Sequence, residues 1–197
     1  MSNYFTELKQ NFQQDFWGTL YSLQNRRLFW AAGVVVALLL ELTAIFFFQH
    51  YLKMQPCEKC VYIRLSVMVL CFAALLATIA PGNIMIKVIA YLLLAWAIVQ
   101  GVLWGMELNH ATQTYAATGE SSCAFAALKF PFGLPLDSWW PQVFMVTALC
   151  GEESWRLFGL NMAQYMLIVY AVYGALFILF MIAIGVHIKR SRGTRGR

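Results

Sequence analysis

Five cysteines are the residues best able to do chemistry in this chain: Cys57, Cys60, Cys71, Cys123 and Cys150. Cys57-Glu58-Lys59-Cys60 is a C-x-x-C motif, a spacing shared by redox-active dithiols and zinc sites. It follows Pro56 and leads into an apolar run, which sets Cys60 near the N-terminus of a helix. The positive end of the helix dipole favours a thiolate there. Arg64 comes four residues later, one turn deeper on the same face and about 6 Å along the axis. An arginine inside an apolar helix is costly and marks function. It can hold a thiolate, or the electron-rich oxygen of a reduced cofactor, by charge and hydrogen bond. The plainer reading is an arginine snorkelling toward headgroups. Cys123 and Cys150 are 27 positions apart, and spacing alone favours a static structural disulfide for them. Zinc fits less well: the segments around these cysteines add only His50 and His110, and the second pair lacks close spacing. No metal site is expected.

The elements that must position these groups follow from composition. Of 197 residues, 61% are hydrophobic and 12% charged, against roughly half and a quarter in an average soluble domain. So short a chain cannot hide that much apolar surface from water, and a bilayer is the better solvent. Crossing about 30 Å of hydrocarbon takes about 20 helical residues. Four runs are long enough: 29–48, 61–80, 84–106 and 165–188. The expected fold is an all-α membrane protein, a bundle of four transmembrane helices. An arm (1–28) precedes the membrane domain (29–188) and a basic tail (189–197) follows it. Pro81-Gly82-Asn83 allows only an antiparallel hairpin between the second and third spans. The remaining connections are a short loop (49–60) and a long one (107–164). The long loop holds Phe130-Pro131-Phe132 and Trp139-Trp140-Pro141, too apolar for a solvated loop, so a short helix on the membrane surface is expected within it. No cleavable signal peptide is expected in the mixed polar and aromatic first 28 residues.

Charge sets the direction. Lys9, Arg26, Arg27, Lys87, Lys189, Arg190, Arg192, Arg195 and Arg197 fall on one side, and Lys53, Lys59, Lys129 and Arg156 on the other. That is nine against four, so the termini are expected in the cytoplasm and both loops outside, in the periplasm of a bacterial cell. The net charge of +5 therefore speaks of membrane orientation and contact with lipid, not nucleic acid. Four of the five cysteines then lie outside the cytoplasm, where disulfides persist, and Cys71 is expected to be inert core. In the arm, Phe5, Leu8, Phe12, Phe16 and Leu20 recur at helical spacing, which suits an amphipathic helix on the inner leaflet as well as a partly ordered tail.

Five stretches in order resemble the DsbB family of quinone-coupled thiol oxidants. They are Leu40-Glu41-Leu42-Thr43-Ala44 with Phe48-Gln49-His50; Pro56-Cys57-x-x-Cys60-x-x-x-Arg64; His110 ahead of Cys123; Leu134-Pro135-Leu136-Asp137-x-Trp139-x-Pro141-Gln142-Val143-Phe144; and Gly159-Leu160-x-Met162-x-Gln164. The longer arm, the charged pair between Cys57 and Cys60, and Ala163 in place of a proline look like the DsbI branch, whose partner is called DsbL and whose substrate is a sulfotransferase. The resemblance implies an inner-membrane enzyme with disulfides Cys57–Cys60 and Cys123–Cys150. Cys123 would form the mixed disulfide with a reduced DsbA-like, possibly DsbL-like, thioredoxin-fold partner. Electrons would pass to Cys57–Cys60, and Cys60 would hand them to ubiquinone or menaquinone beside Arg64, with His110 nearby and Met162 in the pocket wall. Such a relay works only downhill in potential, and a membrane quinone supplies the acceptor.

Other readings compete. Glu41, inside the first span, is either a functional carboxylate or a partner for another helix's polar group such as Gln100, and the structural hydrogen bond is the favoured reading. A vitamin K epoxide reductase type of enzyme would place its helix-mouth C-x-x-C after the loop pair, and here the motif comes first. An outward-running thiol reductase would want cysteines near the cytoplasmic side of the spans. A non-enzymatic membrane protein with static disulfides or a metal site would consume no quinone.

Overall fold

The computed structural model describes residues 15–121, 130–151 and 155–195. Helix α1 (Phe16–Leu23) precedes α2 (Arg27–Leu42), which continues as π-helix over Thr43–Tyr51. Then come α3 (Glu58–Ile79), α4 (Ile84–Thr118), a 3₁₀ turn at Pro131–Gly133, and two short helices, α5 (Leu136–Trp139) and α6 (Pro141–Phe144). A two-stranded antiparallel hairpin, β1 (Arg156–Leu157) and β2 (Leu160–Asn161), leads into α7 (Met162–Arg195).

Four helices are long and apolar enough to cross a membrane: Arg27–Tyr51, Glu58–Ile79, Ile84–Thr118 and Met162–Arg192. Their outward faces carry Val35, Leu39, Phe46, Leu92, Val99 and Ile178, all more than half exposed. Water would penalise such faces, whereas a bilayer accepts them, and helices satisfy their own backbone groups there. This is the all-α, four-span architecture expected from hydropathy. Helix α3 is the central one. It buries Val61, Ile63, Leu65, Val67, Leu70, Ala73, Ala74 and Ala77, packing between α2 and α4 while α7 packs on α4. Alanines at Ala73, Ala77, Ala90 and Ala97 let these backbones approach closely. An apolar cleft of about 480 Å³, lined by Gly33 and Val36 of α2 and Val172 and Leu176 of α7, opens between the first and last spans.

Element ends differ from those read in the sequence, for local reasons. The third span continues three turns past position 106, to Thr118. Hydropathy falls after Met106, but 107–118 contains neither Gly nor Pro, so nothing stops the helix until Gly119. That glycine ends it in the left-handed conformation (φ 74°), its N–H bonded to the Tyr115 carbonyl. The last span starts at Met162, ahead of 165. Asn161 Oδ1 accepts from the Gln164 N–H (2.8 Å) and Gln164 Oε1 accepts from the Asn161 N–H (3.0 Å), a reciprocal capping box that starts α7. The surface helix of the long loop is present as α5 and α6. Their Leu136 and Phe144 are buried with Phe130 against Val61 and Leu65 of α3, while Trp139 and Trp140 face outward.

The described half of the arm docks on the bundle. Asp15 caps α1 by accepting from the Gly18 N–H, and Leu20 buries against Phe180 and Ala183 of α7. The buried Gln24 side chain donates to the Phe180 carbonyl (3.2 Å) and accepts from the Tyr91 hydroxyl (2.6 Å). Phe5, Leu8 and Phe12 lie outside the described residues.

Candidate functional site

Cys57 is the N-cap of α3, and its sulfur accepts from the Cys60 N–H at 3.3 Å. The two cysteines form a disulfide, with Cα atoms 5.1 Å apart. Cys57 is buried and Cys60 half-buried. The pair thus sits at the mouth of the central span, where the helix start orients it. The charged residues between the cysteines tie this turn to the third span: Lys59 Nζ lies 2.7 Å from Glu107 Oε2 and 3.7 Å from Glu58 Oε1. That tie exists because α4 continues beyond the hydrophobic run.

Arg64 lies below the pair and is 6% exposed, so it does not snorkel. Its Nη1 donates to Gln49 Oε1 (3.0 Å) and to the Val143 carbonyl (3.1 Å). Gln49 Nε2 in turn donates to the Gln142 carbonyl (3.0 Å). The guanidinium therefore joins the π-helical end of the first span, the second span and the α6 segment. Nε and Nη2 of Arg64 make no hydrogen bond among the described residues and remain available beside the crevices. Gln49 had no role in the sequence reading. Its position in a run shared with the family, at the outer end of a span where π-helical segments often serve function, is the signal that could have found it.

Two small crevices, of about 50 and 40 Å³, meet at this point. Cys60, Arg64, Leu108 and Met162 line both. Glu41, Ile63, Val67 and Met166 are among the other walls of the deeper one; Cys57, Thr112 and Asn161 are among the walls of the outer one. Met162, named in the sequence for the pocket wall, lines both crevices beside Cys60 and Arg64. His110 lies exposed on α4 and lines neither crevice. The capping box explains Met162, since it fixes the first turn of α7, and Asn161 Nδ2 further donates to Asn109 Oδ1 of α4 (3.2 Å).

The structural hydrogen bond expected for Glu41 is absent. Glu41 is 7% exposed, and neither carboxyl oxygen has a hydrogen-bond partner among the described residues. It faces the Arg64 crevice, and Gln100 does not bond it.

Cys150 is fully buried and belongs to the same packed cluster as Cys57, Leu108, Ala111 and Ala163. The segment before it runs alongside the C-x-x-C approach: Ala148 bridges Cys57, and the Thr147 N–H donates to the Pro56 carbonyl (3.1 Å). Gly151 is wedged against α4. Its φ is 90°, and a Cβ there would lie 2.6 Å from the Tyr115 Cβ and 3.0 Å from the Ala111 carbonyl oxygen. The Ser121 hydroxyl donates to the Cys150 carbonyl (3.0 Å). Cys123, and with it the expected Cys123–Cys150 pairing, lies outside the described residues. Cys71 is a free thiol on α3. No cluster of three potential metal ligands occurs among the described residues.

A sequence-family model described as disulfide bond formation protein DsbB matches residues 26–180. The chain is 39% identical over 180 residues to a protein-disulfide oxidoreductase named DsbI from Shewanella oneidensis, covering 85% of each chain. It is 38% identical to a DsbI-named protein from Campylobacter fetus, over 75% of this chain and 70% of that one. A disulfide bond formation protein B from Histophilus somni is 30% identical over 87% of this chain and 94% of its own.

Proposed function

The chain belongs to the DsbB family of disulfide bond formation proteins, and from that premise we propose that it reoxidises a periplasmic thioredoxin-fold thiol oxidase and passes the electrons to a membrane quinone. The observation that carries this reading is the contiguity of three groups. Cys150 packs in the cluster of Cys57, Cys57 is joined to Cys60, and Cys60 shares its crevices with Arg64.

Thiol–disulfide exchange needs a thiolate to reach a sulfur in line. Cys150 is fully buried, so an incoming partner is expected to attack Cys123. The sulfur released at Cys150 is then beside the inner pair and can carry the electrons to it. The helix N-terminus favours the thiolate form at Cys60.

The residues around Cys60 fit a quinone. Arg64 offers a fixed positive charge with free donors, Glu41 offers a buried carboxyl without a partner, and Leu40, Ile63, Val67 and Leu108 make apolar walls. The free space is small, and flexible Met162 and Met166 are the side chains that would yield to a ring. Bound there, a quinone would supply the two-electron acceptor. Arg64 would hold its oxygen by charge and hydrogen bond, and Gln49 with Val143 would hold Arg64. The charge asymmetry of nine against four supports a bacterial inner-membrane protein with both termini in the cytoplasm. The similarity to the DsbI-named proteins supports a dedicated DsbL-like partner.

The order of the relay provides the test. Cys123→Ala is expected to abolish oxidation of a reduced DsbA-like partner while leaving Cys57–Cys60 reoxidisable by quinone. Loss of the second reaction with retention of the first would overturn the reading.

A further inference from the structure

Glu41 is the one acidic side chain lining the Cys60–Arg64 crevices among the described residues. It is more than nine-tenths buried, both its oxygens lack partners, and no ion pair joins it to Arg64. The Arg64 bonds run instead to Gln49 and Val143. An ionised carboxylate with no hydrogen bond, in an apolar wall within the bilayer, costs several kcal/mol. A neutral carboxyl there keeps an O–H that no protein acceptor uses. A structural role would have engaged that group, so its position calls for a chemical one.

We propose that Glu41 is the proton-carrying acid of the crevice, delivering a proton to the reduced oxygen of the electron acceptor. This rests on the quinone reading above. Oxidation of the Cys57 and Cys60 thiols to a disulfide releases two electrons and two protons. A quinone that takes both electrons must also take two protons to leave as quinol. Glu41 gives one from its carboxyl and is reloaded by one of the two dithiol protons; the other dithiol proton passes to the acceptor's second oxygen, so none need be drawn from water through the apolar wall. Arg64 cannot share this task, because a guanidinium does not give up its proton in proteins. Positive charge from Arg64 and a proton from Glu41 are thus complementary, one holding developing negative charge and the other neutralising it.

The test uses the purified full chain in detergent, first free of quinone and then with ubiquinone. In the quinone-free protein, the infrared spectrum is expected to show the C=O stretch of a protonated carboxyl that Glu41→Gln removes and Glu41→Asp shifts. With quinone, Glu41→Gln is expected to slow electron delivery from Cys60 by about 10²-fold or more, the usual scale of general acid catalysis. Reduction of the Cys57–Cys60 disulfide by dithiothreitol is expected to stay at the wild-type rate, and Glu41→Asp to recover part of the loss. A carboxyl band that persists in Glu41→Gln, or an unchanged rate of delivery, overturns the proposal. So does equal slowing of both reactions, which is the mark of a distorted fold. If the wild-type protein itself fails to reduce quinone, the failure is of the underlying reading, while the infrared band still reports on Glu41.

Discussion

Gly151→Ala tests whether the buried end of the long loop is held against the third span as the structure shows. The residue has φ 90°, and a Cβ would meet the Tyr115 Cβ at 2.6 Å and the Ala111 carbonyl oxygen at 3.0 Å. Two costs follow. Left-handed backbone in a residue with a Cβ costs about 1–2 kcal/mol, and forcing an extra carbon into packed surroundings costs about 1–3 kcal/mol more. The obstructing atoms are a Cβ and backbone, not the far end of a flexible side chain, so the neighbours cannot swing away. Gly119→Ala is the control. It shares the positive φ (74°), yet nothing lies within 4 Å of its Cβ position, so it should show about the first cost alone. The assay is SDS-induced unfolding in mild detergent, with the rate of partner oxidation measured in parallel. Gly151→Ala is expected to be destabilised by about 2–5 kcal/mol and to slow the relay, because Cys150 is the preceding residue. If Gly151→Ala is no worse than Gly119→Ala, the close approach to α4 is wrong, and with it the placement of Cys150 beside Cys57.

Two further outcomes follow from local geometry. Ala163 occupies the first turn of α7, two positions after the Asn161 cap, where a backbone N–H has no helical acceptor and proline is tolerated. Ala163→Pro is therefore expected to leave unfolding within about 0.5 kcal/mol of wild type, the scale of neutral changes, and a large loss in the same SDS assay would contradict the assigned cap. On the opposite side of the membrane, Arg190 donates to both Asp15 oxygens (2.9 and 3.0 Å), and this hydrogen bond holds the Asp15 carboxyl below the usual range. A depressed folded value means that the contribution is complete above the unfolded value of about 3.9 and is lost as pH falls below it. Fluorescence of Trp17 should therefore report loosening of α1 as pH drops from about 5 toward 3, with no such transition in Asp15→Asn; identical profiles would contradict the clasp.

What the sequence made legible divides along physical lines. The spans were readable because twenty apolar residues in a row have one good solvent, and Cys60 with Arg64 because their four-residue spacing is a helix turn. The end of α4 was not, because hydropathy stops at the membrane boundary while helix formation continues to the first breaker, Gly119. Lys59 therefore meets Glu107 in a place read as loop. Gln49 was hidden for a different reason: its role depends on a π-helical register and on a segment more than ninety positions away, at Gln142 and Val143. Glu41 stands out in the sequence as a carboxyl in a span, but the sequence does not show that packing leaves both its oxygens without partners among the described residues. His110 was drawn in by resemblance, and on α4 it lies exposed, outside both crevices. The role of Gly151 was hidden as well, because the sequence does not say that this glycine permits close contact with α4.

The most direct test of the account is to mix the purified protein with a reduced DsbA-like partner and ubiquinone and follow the quinone absorbance. Quinone is expected to be consumed in step with partner oxidation, one molecule per disulfide formed, and Cys60→Ala to abolish it. Partner oxidation without quinone consumption, or consumption that persists in Cys60→Ala, would contradict the relay from the loop cysteines through Cys60.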